Sequence, residues 1–293
     1  MKIACFGASV TQQQNGYVDY LSKKFNCDVK KFGYGSQHLN GAGVCYINDV
    51  LEYKPDICFI DWFSTGFTTT DDNTIDCLNT IVYKFSKSNC KLIFLFLPVD
   101  DHDKRSNFYS FLKDYLISKK LFYIDINDFV KHNDKICRDT VHTTEAGAEL
   151  YANIIYDEYT KSLNNIIILK DYKKTKYCDI KKLNINKCFK KYMIINGECE
   201  IITCTLTVGP NSGYIKVNNS RKLLWDEWCH FNRTSTKIDR INIKGNTKIE
   251  VLQDKVDYSS CRRDYDFSNI EFELDILSIF SCSSIKNGNF PIK

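Results

Sequence analysis

From residue 1 to about 165, short apolar runs alternate with stretches of helical spacing. Residues 2–6 read as a buried strand that starts almost at the first residue, and 17–25 repeat their apolar positions at helical intervals. Residues 27–32 are strand-like and end in the glycine loop Gly33-Tyr34-Gly35-Ser36-Gln37. Helical spacing returns over 44–53, and Pro55-Asp56 introduces a third strand over 57–62. A helix over 76–85, a strand over 92–97 stopped by Pro98, a helix over 106–116, a strand over 121–124 and a helix over 144–159 complete the series. Near-continuous apolar strands separated by helices predict a parallel sheet covered on both faces, and right-handed crossovers make it a three-layer α/β sandwich.

Beyond residue 165 the texture changes. Strand-like stretches at 166–169, 200–208, 214–217, 237–243, 248–252 and 270–279 are separated by turn signals such as Gly209-Pro210-Asn211, Asn218-Asn219 and Lys244-Gly245-Asn246. Helical periodicity is nearly absent, and the pattern predicts an antiparallel β-sandwich of jelly-roll type. The expected boundary lies between Ser162 and Lys174, in a stretch rich in lysine and asparagine, so the domains are drawn as 1–165 and 166–293. No internal repeat is present.

Composition agrees with two ordinary globular domains: 293 residues, 43% hydrophobic and 26% charged. No apolar run reaches membrane-spanning length, and Met1-Lys2 leads straight into a strand with no signal peptide, so a cytoplasmic location is expected. Fourteen cysteines occur without a single Cys-x-x-Cys, several of them (Cys5, Cys58, Cys204) inside apolar runs, which favours reduced buried thiols over disulfides or zinc. No metal or cofactor is expected. The Asn-x-Ser/Thr matches at Asn218 and Asn232 carry no meaning in a chain that is not exported. Net charge is −3 over residues 1–165 and +7 over 166–293. A basic second domain is suited to an anionic glycan, but without a basic recognition helix it does not indicate nucleic acid.

Two stretches carry chemistry. Ser9 follows the first strand in Phe6-Gly7-Ala8-Ser9-Val10-Thr11, on a turn at the carboxyl edge where open α/β sheets bind ligands. By itself such a residue is commonly a turn serine or an N-cap. The second stretch, Arg138-Asp139-Thr140-Val141-His142-Thr143-Thr144-Glu145-Ala146-Gly147, precedes the last helix of the α/β half. An aspartate and a histidine three apart on a loop can face one point, the carboxylate fixing the imidazole while its other nitrogen takes a proton from a serine hydroxyl. A capping aspartate and a loop histidine are the plainer alternative. All three residues fall on one edge of the same sheet, which favours a Ser9–His142–Asp139 triad.

Phe-Gly-x-Ser after the first strand, a glycine loop after the second, and Asp-x-Val-His-x-x-x-x-Gly before a last helix resemble the SGNH/GDSL hydrolase family over about residues 1–160. The resemblance implies a flavodoxin-like five-stranded parallel sheet, with Ser9 as nucleophile, His142 as general base then acid, and Asp139 as the orienting carboxylate. It also implies oxyanion donors: the amide of Ser9, an amide of the glycine loop at Gly35, and an Asn after the third strand. That Asn is absent, since the region reads Asp61-Trp62-Phe63-Ser64-Thr65-Gly66. Thr65 or Ser64 stands in its place, with the Gly66 amide as a further donor. Ala8 also replaces the family's usual Asp before the serine.

Three other stretches have chemical character. Asp100-Asp101-His102-Asp103 has the composition of a metal cluster, but its place after Pro98 marks a helix cap. Trp225-Asp226-Glu227-Trp228 could stack on sugar rings, although packing is the commoner fate of such tryptophans. Gln12-Gln13-Gln14 follow the serine turn, where they either contact substrate or simply lead into a helix. The expectation is a serine esterase that removes small acyl groups, O-acetyl above all, from a carbohydrate. The alternatives are an O-acyltransferase acting on a sugar or polysaccharide and a decayed glycan-binding protein.

Overall fold

Ile3–Gly7 (β1) places five consecutive buried residues in mid-sheet, which is possible only when both faces are covered. The computed structural model describes residues 1–65, 70–100, 102–170, 172–175 and 177–282, without the side chains of 102–106 and 239. Contacts divide the chain into Met1–Cys178 and Asp179–Lys293.

In the first unit β1 is joined by Val29–Gly33 (β2), Ile57–Asp61 (β3), Lys91–Phe96 (β4) and Tyr123–Asp125 (β5). All pair in parallel in the order β2-β1-β3-β4-β5, which is the flavodoxin-like order. The helices are Ser9–Gln12 (α1), Tyr17–Phe25 (α2), Ile47–Glu52 (α3), Asp72–Ser86 (α4), His102–Ser118 (α5) and Glu145–Lys161 (α6). A π-helical turn, Leu39–Gly43, precedes α3. The order reverses after β2, so right-handed crossovers send α2 to one face and α3 and α4 to the other. Packing agrees: Phe25 of α2 meets Tyr156 and Tyr159 of α6, whereas α3 and α4 lie against each other. The reversal sits between β1 and β3, and the register ends those strands together, with Gly7 beside both Gly33 and Asp61.

The division between units falls later than the composition predicts. Residues 166–169 form no strand. Ile166 and Leu169 are buried, Tyr172 donates to the Lys119 carbonyl (3.1 Å), and Tyr177, 1% exposed, donates to Asn73 (2.7 Å). A lysine-rich connector therefore belongs to the first unit through a few anchoring side chains.

The second unit is a six-stranded antiparallel sheet built from Lys181–Phe189 (β6), Tyr192–Val208 (β7), Tyr214–Val217 (β8), Ser220–Leu223 (β9), Arg233–Leu252 (β10) and Leu274–Ser281 (β11), in the order β6-β11-β7-β10-β8-β9. Antiparallel β structure is as predicted, and the described strands are joined in one continuous hydrogen-bonded order. The reason is the length of β7 and β10. The two expected strands at 237–243 and 248–252 are one, because Lys244-Gly245-Asn246 makes no turn. Gly245, with φ +65°, pairs with Gly197, so the left-handed conformation is absorbed inside a ladder. One end of this ribbon pairs with β11 and the other with β8. Asn218, with φ 52°, does make the expected tight turn between β8 and β9.

Trp225 packs in the core against Tyr258 and Phe267, while Trp228 is 44% exposed beneath the Arg262 guanidinium. All fourteen cysteines are free thiols. No helix among the described residues is long and apolar enough to cross a membrane.

Asp226 is the electrostatic anchor of this unit. Burial opposes its ionisation, but Arg233 and Lys237 (2.6 Å) outweigh that, and its pKa is lowered to about 2. A depressed carboxyl stabilises the fold above its unfolded value and loses that contribution as pH falls through the folded value. Asp226→Asn should therefore cost roughly 2 kcal/mol or more at neutral pH. In urea unfolding monitored between pH 7 and 2, its deficit relative to wild type should shrink steeply below about pH 4.

Candidate active site

The end of β1 brings Ser9 to the sheet edge with no room to spare. A Cβ on Gly7 would overlap the Asp61 carbonyl and the Thr11 hydroxyl, and one on Gly33 would overlap the backbone of Gln12. The Ala8 amide donates to the Asp61 carbonyl (3.2 Å), and the Tyr34 amide donates to the Gly7 carbonyl (2.9 Å). Helix α1 thus rests directly on the ends of β2 and β3. Thr11, fully buried, is hydrogen-bonded to the Tyr17 hydroxyl (2.9 Å). Ser9 is the first residue of this short helix and is half-buried. The turn is therefore immediately helical, where the pattern showed helix only from residue 17.

The Asp139–His142 pair is formed. Nδ1 of His142 lies 2.9 and 3.1 Å from the two carboxylate oxygens of Asp139. A carboxylate only accepts, so Nδ1 carries the proton and Nε2 of the neutral ring is left as the acceptor. Burial raises the energy of charge on Asp139, but the amides of Val141 (3.0 Å) and His142 (2.8 Å) and the imidazole outweigh it, and its pKa is lowered. The loop is braced on three sides. Arg138 N donates to the His142 carbonyl, Asp100 N donates to the Thr140 carbonyl (both 2.9 Å), and a ring nitrogen of His132 lies 2.8 Å from the Asp139 carbonyl. Thr144 caps α6 by accepting from the Gly147 amide (3.0 Å) and donates its own amide to the Ile136 carbonyl (2.9 Å). Gly147 explains the glycine of the motif, since any Cβ there would overlap the Ile136 carbonyl oxygen.

No hydrogen bond joins Ser9 to His142 among the described residues. What joins their segments is Gln13, whose Nε2 donates to the Thr143 carbonyl (2.8 Å). Its Oε1 accepts from the Thr143 amide (3.1 Å) and hydroxyl (3.3 Å). Catalytic hydrogen bonds are often long or unmade before substrate arrives.

Gly35 lies against the serine, its position for a Cβ being 3.8 Å from Cβ of Ser9. Its amide is occupied, donating to Oε1 of Gln12 (2.8 Å). The substitutes for the missing Asn are also engaged. Ser64 donates its hydroxyl to Oδ2 of the fully buried Asp61 (2.8 Å) and its amide to Oδ1 (3.2 Å). Thr65 donates its hydroxyl to the Trp62 carbonyl (3.1 Å). Each hydroxyl has one proton, so in this arrangement neither Ser64 nor Thr65 directs its hydroxyl at a substrate oxygen. Gly66 lies outside the described residues. Gln12 and Gln13 are the functional candidates to which the sequence assigned no particular contact. Their only signal was a pair of long polar amides beside the serine.

Asp100 belongs to the brace of the histidine loop, and α5 begins two residues later; Asp101 and the side chains of His102 and Asp103 are outside the described residues. No group of three metal-ligating side chains is assembled among the described residues. The rim is open, with the side chain of Asp139 48% exposed and that of His142 26%. One depression of about 540 Å³ near Lys30, Tyr34 and Tyr53 is lined by none of the candidate residues, and another of about 310 Å³, near Ile215 and Arg240, belongs to the second unit.

No protein-family profile and no curated protein matches the chain by sequence. Among solved structures, a two-domain esterase active on acetylated mannans, co-crystallised with mannopentaose, is similar over 99% of this chain and 92% of its own, at 14% identity and a TM-score of 0.66. A second structure of that esterase is similar over 98% and 92%, with 14% identity and a TM-score of 0.65. An acetyl xylan esterase is similar over 54% of this chain and 99% of its own, with 18% identity and a TM-score of 0.46. The two-domain likeness establishes the fold: a parallel α/β unit, as the motif resemblance implied, followed by a β-rich unit.

Gly147→Ala should force the Ile136 carbonyl aside and loosen the histidine loop. The expected cost is about 1–3 kcal/mol in denaturant unfolding, accompanied by a loss of amide-exchange protection at Thr144.

Proposed function

We propose that the chain is a serine esterase that removes small acyl groups, acetyl in the first instance, from a carbohydrate. The observation that carries this is the Asp139–His142 pair, formed at the carboxyl edge of the sheet and tethered through Gln13 to the helix that bears Ser9. A serine hydroxyl is hardly ionised at neutral pH and needs such a base. His142, its Nδ1 proton held by Asp139, takes the Ser9 proton on Nε2 as Oγ attacks the ester carbonyl. The protonated ring then gives that proton to the leaving sugar oxygen. Water, activated by the same nitrogen, releases the acid from the acyl-serine. Asp139 stabilises the imidazolium formed in each half, and its lowered pKa keeps it charged for that task.

Negative charge on the former carbonyl oxygen is received by the amides of Ser9 and Gly35. Gln12 presents a carbonyl oxygen to the Gly35 amide in the resting structure, so the ester oxygen takes a place already shaped for a carbonyl and displaces Gln12. The open rim suits a short acyl group on a bulky carrier. The two-domain fold shared with an esterase active on acetylated mannans supports a carbohydrate substrate, and the charge of the second unit suits an anionic glycan.

Hydrolysis of p-nitrophenyl acetate and of acetylated oligosaccharides tests this. Ser9→Ala should reduce both to background, and His142→Ala should lower kcat by about 10²–10⁴-fold. Unchanged rates in either variant refute the assignment. Faster donor consumption with transfer of acetyl to an added sugar would instead identify a transferase. Gln12→Met, which keeps the length of the side chain but removes its carbonyl, should raise kcat/KM roughly 2- to 10-fold, the range expected for freeing one hydrogen bond.

A further inference from the structure

We infer that Gln13 is a positioning residue that sets the distance between nucleophile and base; this rests on the esterase reading above. Its side-chain amide offers one donor and one acceptor in a plane, and both meet the backbone of Thr143, the residue next to His142. Nε2 donates to the Thr143 carbonyl at 2.8 Å, and Oε1 accepts from its amide at 3.1 Å. The pairing imitates a rung of a β-ladder between segments 130 residues apart. With the longer Asn15–Glu145 contact (3.3 Å), these are the hydrogen bonds that join the serine helix to the histidine loop among the described residues.

The clamp is itself held. The Lys31 ammonium donates to the Gln13 carbonyl (2.9 Å) and is paired with Asp19 (2.6 Å), so the glutamine backbone is fixed to β2 and α2. Thr143 is 1% exposed. Without Gln13, its amide and carbonyl would be left in a dry place with no partner, and the loop would move to find one. Such a shift changes the approach of His142 Nε2 to Ser9 Oγ while leaving both residues intact. No other residue type satisfies the pair: Glu would set a carboxylate oxygen against the Thr143 carbonyl, and Asn is one methylene short of reaching both atoms.

The test is steady-state hydrolysis of p-nitrophenyl acetate by Gln13→Met and Gln13→Asn, with folding checked by circular dichroism. Both should lose about 10- to 100-fold in kcat, as expected when a reacting pair is displaced by about an ångström, with KM within about twofold of wild type. Added imidazole should restore part of the lost rate, as it should for His142→Ala and not for Ser9→Ala, because the defect lies in delivery of the base. Wild-type kcat in a folded Gln13→Asn overturns the inference while leaving the esterase reading untouched. A low rate that imidazole does not lift in either folded variant also overturns it, since the defect is then not one of base position. A wild-type protein without Ser9-dependent hydrolysis overturns both.

Discussion

There is no space for a side chain between the ends of β1, β2 and β3, and the candidate active site depends on that. Gly7 lies against the Asp61 carbonyl and Thr11, and Gly33 against the backbone of Gln12. With nothing between them, α1 sits directly on the strand ends. Ser9 comes up beside Gly35, and the two glutamines at the end of the helix come within reach of loops from both sides. A larger residue at either glycine would overlap backbone and force the helix and the strand ends to shift. Close packing here is thus a condition for the polar contacts above it.

Those contacts share a logic. Buried and half-buried loops must satisfy their backbone groups, and in this rim polar side chains do so where backbone cannot reach. Gln13 pairs with Thr143, Gln12 occupies the Gly35 amide, and Asp61 draws in both the hydroxyl and the amide of Ser64. The last explains why a hydroxyl residue where the motif resemblance implied an Asn does not simply restore a donor. A hydroxyl has one proton, and the fully buried carboxylate three residues back already claims it. Gln12, by contrast, is exposed, and its hold on Gly35 is of the kind an incoming carbonyl can replace.

Much of the first unit was legible because its signals are local. Five apolar runs, the glycine loop and the helical spacings mark strands and helices without reference to anything distant, and β1 and α2 fall where they were expected. The second unit was less legible for the opposite reason. Gly245 reads as a turn, yet it continues a strand because Gly197 lies across from it and the pair absorbs the irregular conformation. The alternation of β6 is diluted by lysines and asparagines. The stretch 162–174 looks like a boundary by composition, yet Tyr172, and Tyr177 just beyond it, are fastened to Lys119 and Asn73, scores of residues earlier.

By itself the sequence determined the parallel α/β half, the antiparallel character of the rest, and the Asp139–His142 pair, whose members are three residues apart and whose geometry a single loop can set. Tertiary structure decided how Ser64 and Thr65 use their protons, what occupies the Gly35 amide, and which side chain ties the serine helix to the histidine loop. The last two join groups 23 and 130 residues apart, and the first turns on the Asp61 carboxylate and the Trp62 carbonyl three residues back; each is settled by which donor lies within about 3 Å of which acceptor. No periodicity along a sequence records that distance.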